Sequence, residues 1–296
     1  MARDLVGYGK NYPRIRWPND ARVAISLVLN YEEGAEQSLA DGDERNERLG
    51  EFIAPRIPPG LRDIGQETTF EYGSRVGAWR ILGLLEEYGV KATIYACGRA
   101  VERNPEIARA FTAAGHEMAA HGHLWVTHFG MERDFEREQI AKAVKAIEKS
   151  SGERPVGWYC RYAPSVNTRE LLLEEGGFRY DSDSYGDELP FWVEVKGKRQ
   201  LVIPYQLDAN DFRFFNSPGW SEGGDFWNYL RDSVEFLLKV GKTEPRMLSV
   251  GLHGRISGRP GRAAALERFL EYCRKTPGIW MARRVEIADW WYENYS

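Results

Sequence analysis

The sequence predicts an α/β fold whose parallel sheet closes, or nearly closes, into a barrel. Short apolar runs rich in β-branched residues recur along the 296 residues, and segments with helical spacing separate them. Several of these runs are continuously apolar, as strands covered on both faces are. Seven or so repeats of strand and helix favour a barrel over an open sheet. We find no internal repeat and no Pro/Ser-rich linker, so we expect residues 1–296 to form a single domain.

The predicted strands are the apolar segments 22–29, 91–96, 116–120, 156–160, 201–205, 247–253 and 279–283, with a short additional strand just before 180–183. Helix caps and breakers define the segments between them. One helix runs from Ser74 to Tyr88 and ends before Gly89, and another begins at Asn104-Pro105 and stops at Gly115. The other predicted helices cover about 133–150, 167–176, 225–239 and 261–275.

The stretch from about residue 36 to residue 69 does not fit this alternation. It is a long, polar, Pro-rich insertion after the first strand. A loop of this length in a compact domain is usually a lid, a binding loop or an oligomer contact. A passive surface excursion is the alternative, and both interpretations stay open.

Composition excludes several classes of protein. Lys and Arg number 40 against 44 Asp and Glu, which gives a net charge of −4 and no basic footprint for nucleic acid. No stretch approaches the length of a membrane span, and the first twenty residues lack the apolar run of a signal peptide. Three well-separated cysteines form no C-x-x-C motif. We therefore expect a reduced, cytoplasmic protein with no nucleic-acid or membrane partner.

Polar clusters follow the predicted strands directly, at their C-terminal ends. They occupy positions 30–34, 121–125, 161–164, 180–183, 187–190, 208–211 and 253–255. In an α/β barrel these strand ends converge on one face, which carries the chemistry. Carboxylates, histidines and an arginine brought together there indicate general acid–base hydrolysis. His253 is the most informative of them, because it ends an otherwise apolar strand.

Zinc is a second possible source of reactivity. The candidate ligands are Glu33, His121, His123 and His128. A zinc ion there would lower the pKa of its bound water to about 7. No pair among these residues has the helical i, i+4 spacing that makes a metal motif specific, so the residues alone leave the question open.

Five segments in order, NYEEG, HGHLW, GWYCRYAP, DELPFW and GLHGR, resemble the motifs of the polysaccharide deacetylase superfamily. The resemblance implies a distorted seven-stranded (β/α) barrel. The chain is most similar to the allantoinase branch of that superfamily, through RDLVGYG, FEYGSRVGAWRIL, ERPVGWY, LDANDFRF and GLHGRISGRP. The similarity extends from about residue 3 to residue 287.

Two departures from the parent pattern bear on the metal. Metal-dependent deacetylases carry two adjacent aspartates after the first strand, where this chain has Glu32 and Glu33. Their second motif has two histidine ligands four residues apart, whereas here His121 is followed by Trp125. The allantoinase branch shares both changes and works without a metal ion. The resemblance therefore implies that no cofactor is needed.

His123 and His128 depart from the allantoinase branch as well. They could restore a metal site, or they could adapt the pocket to another cyclic amide. These differences bear on the identity of the substrate more than on the type of reaction.

We expect a hydrolase of non-peptide carbon–nitrogen bonds that opens a small cyclic amide such as allantoin. Glu33 or His121 is the predicted base, and His253 is the predicted acid for the leaving nitrogen. Arg161 is predicted to orient the carboxylates or to hold the oxyanion, where one donor is worth about 3 kcal/mol. The predicted substrate-positioning residues are Glu32, Trp125, Asn167 and Asp187.

Two alternatives remain at the level of the sequence. A metal-dependent N-deacetylase of a polysaccharide or oligosaccharide would need bound zinc and an open groove. A non-catalytic protein that binds sugars or metabolites would be expected to lack the ionisable residues, which are present here. Because relatives in the allantoinase branch are oligomers, the resemblance also implies a homo-oligomer, specifically a tetramer.

Overall fold

A computed structural model describes residues 3–50, 57–162, 164–216 and 218–295. Its centre is one curled, mixed sheet. The strands are β1 (Val23–Tyr31), β2 (Thr93–Ala96), β3 (Glu117–Ala120), β4 (Gly157–Trp158), β5 (Tyr180–Asp181), β6 (Phe191–Val195), β7 (Lys198–Val202), β8 (Arg246–His253) and β9 (Ile279–Met281). The predicted α/β fold is confirmed, although the sheet has nine strands within the described residues rather than seven.

The strand order is β6-β7-β5-β4-β3-β2-β1-β8, and β9 pairs with the first half of β1. Every pairing is parallel except the β6–β7 hairpin. Beyond β7, Asn210 forms an isolated parallel bridge with Gly251 of β8. This bridge brings the two sides of the curl together, so that the C-terminal ends of the strands surround one pocket.

The helices are α1 (Ile64–Tyr72), α2 (Ala78–Glu87), α3 (Gly98–Arg103), α4 (Pro105–Ala113), α5 (Arg133–Ser151), α6 (Thr168–Glu175), α7 (Gly223–Val240), α8 (Gly254–Ser257), α9 (Pro260–Lys275) and α10 (Arg284–Asn294). No helix within the described residues is long and apolar enough to cross a membrane. The predicted segments for α4, α5, α6, α7 and α9 are confirmed within two residues at either end. α3, α8 and α10 were not predicted.

The structure corrects the predicted start of one helix and adds one strand that was not predicted. The Asp63 carboxylate accepts a hydrogen bond from the amide of Gln66, and this cap starts α1 at Ile64, ten residues before the predicted start. The end of the predicted insertion, from residue 64 to residue 69, is therefore helical, and residues 51–56 of that insertion lie outside the described residues. The added strand, β6, is joined to β7 by the two-residue turn Lys196-Gly197, both at positive φ, as a hairpin loop of this length requires.

A π-helical turn, Gly73–Gly77, joins α1 to α2 beside the pocket. The two glycines at its ends allow this close approach. A Cβ atom on Gly77 would lie 1.9 Å from the carbonyl oxygen of Gly254, and one on Gly73 would lie 2.3 Å from Oε1 of Glu33. The helix pair therefore packs directly against the segments that follow β1 and β8.

The alternation of side chains along β1 determines which residues reach the pocket. Leu27 and Leu29 belong to the core formed with the surrounding helices. Ala24 and Val28 belong to a second core that includes residues from the inner face of the curl. Because successive side chains point to opposite faces of a strand, the even-numbered positions continue toward the pocket.

Candidate active site

A cavity of about 290 Å³ lies at the C-terminal ends of the strands. It has polar, ionisable and apolar walls. The lining residues are Asn30, Glu32, Leu49, His121, Trp125, Tyr159, Arg161, Tyr162, Leu207, Asn210, Phe212, Asn216 and His253. Five of the eight residues predicted to form the site are among them, and Glu33, Asn167 and Asp187 are not.

Glu32 is at the centre of the ionisable groups. Its Oε1 atom lies 3.3 Å from Nε2 of His121 and 3.3 Å from Nε2 of His253. Its Oε2 atom accepts a 2.7 Å hydrogen bond from the guanidinium of Arg255. Burial alone would raise the pKa of Glu32, but the charges of His253 and Arg255 lower it well below the usual range. Glu32 is therefore a buried carboxylate held in its ionised form.

His253 is held by a second buried carboxylate. Its Nδ1 atom lies 2.6 Å from Oδ1 of Asp211, and its backbone amide donates to Oδ2 of Asp211 at 2.8 Å. The Ser257 hydroxyl also donates to that oxygen, at 2.6 Å. Burial would lower the pKa of His253, but the carboxylates of Glu32 and Asp211 together raise it to about 9. His253 is therefore an imidazolium at neutral pH, with its Nε2 proton directed at Glu32.

The tautomer of His121 follows from its partners. Its Nδ1 atom lies 2.7 Å from the carbonyl oxygen of Tyr159, which can only accept, so Nδ1 carries a proton. The ring stacks on the Tyr159 ring with centroids 5.1 Å apart and an interplanar angle of 9°. Nε2 consequently faces Glu32 and, in a neutral imidazole, is the atom that can accept a proton.

The Glu33 side chain points away from Glu32, His121 and His253. Its carboxylate accepts hydrogen bonds from the backbone amides of Arg255, at 3.0 Å, and of Glu32, at 3.1 Å. It lines a separate cavity of about 370 Å³ together with Glu36. Burial raises the pKa of Glu33, in contrast to Glu32. The structure therefore places Glu32, not Glu33, beside the histidines, because adjacent residues leave β1 on opposite faces.

Arg161 lines the pocket but does not pair with Glu32 or Glu33. Its guanidinium donates to both oxygens of Glu47, at 2.6 and 3.0 Å, and to the carbonyl of Trp125 at 2.8 Å. It also lies 3.6 Å above the centre of the Trp125 ring. The insertion after β1 thus supplies Glu47, which fixes Arg161 in the pocket wall.

Arg255 takes the place expected of Arg161 and was not predicted as a site residue. Its buried guanidinium lies between the rings of Phe70, 4.3 Å away, and Trp125, 4.8 Å away. It donates to Glu32 and lies 3.5 Å from the Glu33 carboxylate. The signal in the sequence was its position two residues after His253, at the end of an apolar strand.

The pocket floor contains a polar network that was also missed. Asn30 Nδ2 donates to the Tyr205 hydroxyl at 3.1 Å and to the Leu252 carbonyl at 3.2 Å. Because a carbonyl can only accept, these contacts identify the amide nitrogen and leave Oδ1 of Asn30 buried without a partner. Asn210 Nδ2 donates to the same hydroxyl at 3.0 Å. Asn30 is thus an acceptor available beside Glu32.

Two predicted substrate-positioning residues lie elsewhere. The Asp187 carboxylate accepts from the Tyr12 hydroxyl at 3.1 Å and from the amides of Glu188 and Leu189. It therefore anchors its own turn and the N-terminal segment. Asn167 is at the start of α6, where its side chain makes no capping hydrogen bond. Trp125, by contrast, is buried in the pocket wall.

The candidate zinc ligands fall in different places. His123 Nε2 lies 3.1 Å from Glu102 at the surface, and His128 Nδ1 lies 3.1 Å from buried Glu136. Within the described residues, no group of three or more His, Cys, Asp or Glu side chains is arranged to hold a metal ion. Where the parent pattern has its second histidine, Trp125 packs against two guanidinium groups. A fixed cation, Arg255, already contacts Glu32, so these residues do not fit zinc.

Comparisons with known proteins identify the family of this chain. The polysaccharide deacetylase family model matches residues 66–180. A putative polysaccharide deacetylase from Schizosaccharomyces pombe is 39% identical, over 98% of this chain and 96% of its own length. A crystal structure of a probable polysaccharide deacetylase from Pseudomonas aeruginosa PAO1 is 45% identical, covers 100% of this chain and 99% of its own, and has a TM-score of 0.95.

The crystal structure of PuuE allantoinase is equally similar, with 45% identity, 100% and 98% coverage and a TM-score of 0.95. A CE4 family pseudoenzyme from Bacillus anthracis shares the fold alone, at 13% identity and a TM-score of 0.53. The expected family is thereby confirmed. The chain belongs to the polysaccharide deacetylase (CE4) family, whose enzymes are hydrolases of non-peptide carbon–nitrogen bonds.

Proposed function

We propose that this protein opens a small cyclic amide, such as allantoin to allantoate, without a metal ion. One observation carries the proposal: Oε1 of Glu32 lies 3.3 Å from Nε2 of both His121 and His253. A base and an acid therefore face the same carboxylate on the wall of one small pocket. The similarity to PuuE allantoinase supports the choice of substrate class.

The reaction consumes one water molecule. The water oxygen forms a bond to a ring carbonyl carbon, and an oxyanion develops on the carbonyl oxygen. The ring carbon–nitrogen bond then breaks, and the leaving nitrogen takes a proton. The second water proton is released when the new carboxylic acid ionises.

His121 is the base in this proposal. The Nδ1 proton of His121 is on the Tyr159 carbonyl, so an unprotonated Nε2, which faces the pocket beside Glu32, is the atom that takes a proton from water. The imidazolium that forms is stabilised by the Glu32 carboxylate 3.3 Å away. Glu32 itself is a poor base, because its pKa lies well below the usual range.

His253 is the acid. With a pKa of about 9 it is protonated at neutral pH, and Asp211 keeps its Nδ1 proton in place. It gives its Nε2 proton to the leaving nitrogen. After this step His121 has gained a proton and His253 has lost one. Oε1 of Glu32 contacts both Nε2 atoms, so it can pass the proton across and reset the site.

Arg161 is the proposed donor to the oxyanion. Glu47 and the Trp125 carbonyl take three of its five N–H groups, which leaves two for the substrate. The unpartnered Oδ1 of Asn30 is a suitable acceptor for a ring N–H. A cyclic ureide presents both kinds of group on a small, rigid ring.

The test is to incubate the purified protein with racemic allantoin and, separately, with an N-acetylated chitooligosaccharide. Formation of allantoate without release of acetate supports the proposal. Release of acetate without ring opening contradicts it and favours the deacetylase alternative. If allantoin, hydantoin and succinimide all remain intact, the cyclic-amide proposal fails as well. The oligomeric state implied by the resemblance stays a prediction, and sedimentation of the same sample measures it.

A further inference from the structure

The pocket is lined by buried ionisable groups at its floor and by exposed apolar side chains at its mouth. Its floor carries Glu32 and the two histidines, all buried. Three apolar side chains also line it, and they are well exposed: Leu49 at 39%, Tyr162 at 65% and Leu207 at 40%. Single exposed apolar residues are ordinary, but three that line the same cavity give its mouth an apolar rim.

Tyr162 is held in an unusual backbone conformation. Its φ is +56°, in the left-handed region that residues other than glycine rarely adopt. The Tyr185 hydroxyl donates to its carbonyl oxygen at 2.7 Å, and the two rings stack with centroids 6.4 Å apart. Such a conformation persists only where surrounding contacts hold it, and it is commonest at ligand-binding sites.

An aromatic wall connects this rim to the proposed base. The Tyr185 hydroxyl also lies 3.0 Å from the Tyr159 hydroxyl, and the Tyr159 ring stacks on His121. Tyr162, Tyr185, Tyr159 and His121 therefore form a continuous series of contacts from mouth to floor. A ring whose carbonyl reaches His121 would extend its substituent along this wall toward the rim.

The exposed residues that line the pocket mouth are apolar apart from the amide of Asn216, whereas the substituent of allantoin is a ureido group with several N–H and C=O groups. Ureido N–H and C=O groups that are covered by the leucine side chains lose their hydrogen bonds to water without gaining partners, which disfavours binding. An aliphatic or aromatic substituent gains binding free energy from the same contact, because its apolar surface is removed from water.

We propose, on the basis of the function proposed above, that the preferred substrates are five-membered cyclic ureides or imides bearing an apolar substituent. In these substrates the –CO–NH–CO– ring edge lies at the floor, beside His121 and Glu32. The substituent lies between Leu49, Tyr162 and Leu207 at the mouth. Tyr162 is thus a specificity-determining residue for the ring-opening reaction.

The test compares kcat/KM for hydantoin, allantoin and 5-benzylhydantoin. We expect the benzyl compound to exceed hydantoin by about tenfold or more, chiefly through a lower KM. Tyr162→Ala is expected to reduce kcat/KM about tenfold more for the benzyl compound than for hydantoin, while Tyr162→Phe keeps the preference. Phe236→Ala, which removes an aromatic ring of 62% exposure from α7, is the matched control. It should leave the ratio of kcat/KM for the benzyl compound to kcat/KM for hydantoin unchanged.

Three results would overturn this inference while leaving the proposed function intact. The first is hydrolysis of hydantoin or allantoin with no gain from the benzyl group. The second is an equal loss of kcat/KM on all three compounds in Tyr162→Ala. The third is a change in the oligomer mass of Tyr162→Ala on sedimentation, which would make the rim an interface between copies. Failure to hydrolyse any of the three rings would instead contradict both proposals.

Discussion

Oε1 of Glu32 lies 3.3 Å from Nε2 of His253, and the far side of the same imidazole is bonded to Asp211 at 2.6 Å. The histidine is thus held between two buried carboxylates. Each favours its protonated form, so a residue that would ordinarily be neutral at pH 7.5 is charged. This relationship makes His253 an acid at neutral pH.

Replacing Glu32 with Gln keeps the shape of the side chain and removes its charge. We expect kcat to fall by about 10² to 10⁴, because the imidazolium formed on His121 loses its counter-charge and the proton relay is broken. The pKa of His253 should fall below about 9, since Glu32 is one of the two carboxylates that raise it. Steady-state kinetics and an NMR titration of His253 measure the two effects. An unchanged kcat would remove Glu32 from the mechanism.

Activity should be lost on the alkaline side as His253 loses its proton. An acid works only below its pKa, so kcat/KM should fall as pH rises through about 9. In Asp211→Asn this limb should move toward lower pH, because one of the carboxylates that raise the pKa is gone. A pH–rate profile of both proteins tests the prediction. Asp232→Asn, an exposed change on α7, serves as the control. An alkaline limb at the same pH in Asp211→Asn contradicts the role of this pair.

Glu33→Gln is the informative comparison with Glu32→Gln, one residue away. Glu33 lies outside the pocket and accepts two backbone hydrogen bonds. We expect a far smaller loss of kcat than in Glu32→Gln, together with a loss of unfolding free energy of about 1–3 kcal/mol. Chemical denaturation and steady-state kinetics give the two numbers. If Glu33→Gln abolished turnover without affecting stability, the result would favour Glu33 as the base, as the sequence predicted.

Glu47→Gln should act through Arg161. Glu47 accepts two charge-assisted hydrogen bonds from that guanidinium, and a neutral amide offers only one acceptor oxygen. We expect kcat/KM to fall by about tenfold, while the alkaline limb assigned to His253 stays at the same pH. Arg161→Lys should behave similarly, because the ammonium cannot reproduce the bidentate pair. A shift of the alkaline limb in either variant would show that Arg161 acts on His253 instead.

The sequence was sufficient to predict most of the secondary structure and the face of the fold that carries the site. It could not distinguish Glu32 from Glu33. All nine residues of β1 are buried, so its apolar run shows no alternation that would tell the pocket face from the helix face. Only the packing shows which positions face which way. Leu27 and Leu29 pack in the core on the helix side, whereas Ala24 and Val28 pack in the core on the inner face of the curl.

The partners of the site residues were also beyond the sequence. Arg161 and Glu47 are 114 positions apart, and Arg255 and Glu32 are 223 positions apart. Which arginine meets which carboxylate depends on how the loops after β1, β4 and β8 pack together, and no local pattern encodes that. The positions after the strands did reveal Asp211 and Arg255 as part of polar clusters, but not their roles.

In the proposed mechanism, organic groups alone perform the ring opening. The most direct measurement is the rate of allantoin hydrolysis after exhaustive chelation, with elemental analysis of the same sample; 5-benzylhydantoin is used in parallel. We predict full activity with far less than one equivalent of any transition metal per chain. Loss of activity on chelation, restored by one equivalent of zinc, would contradict the account.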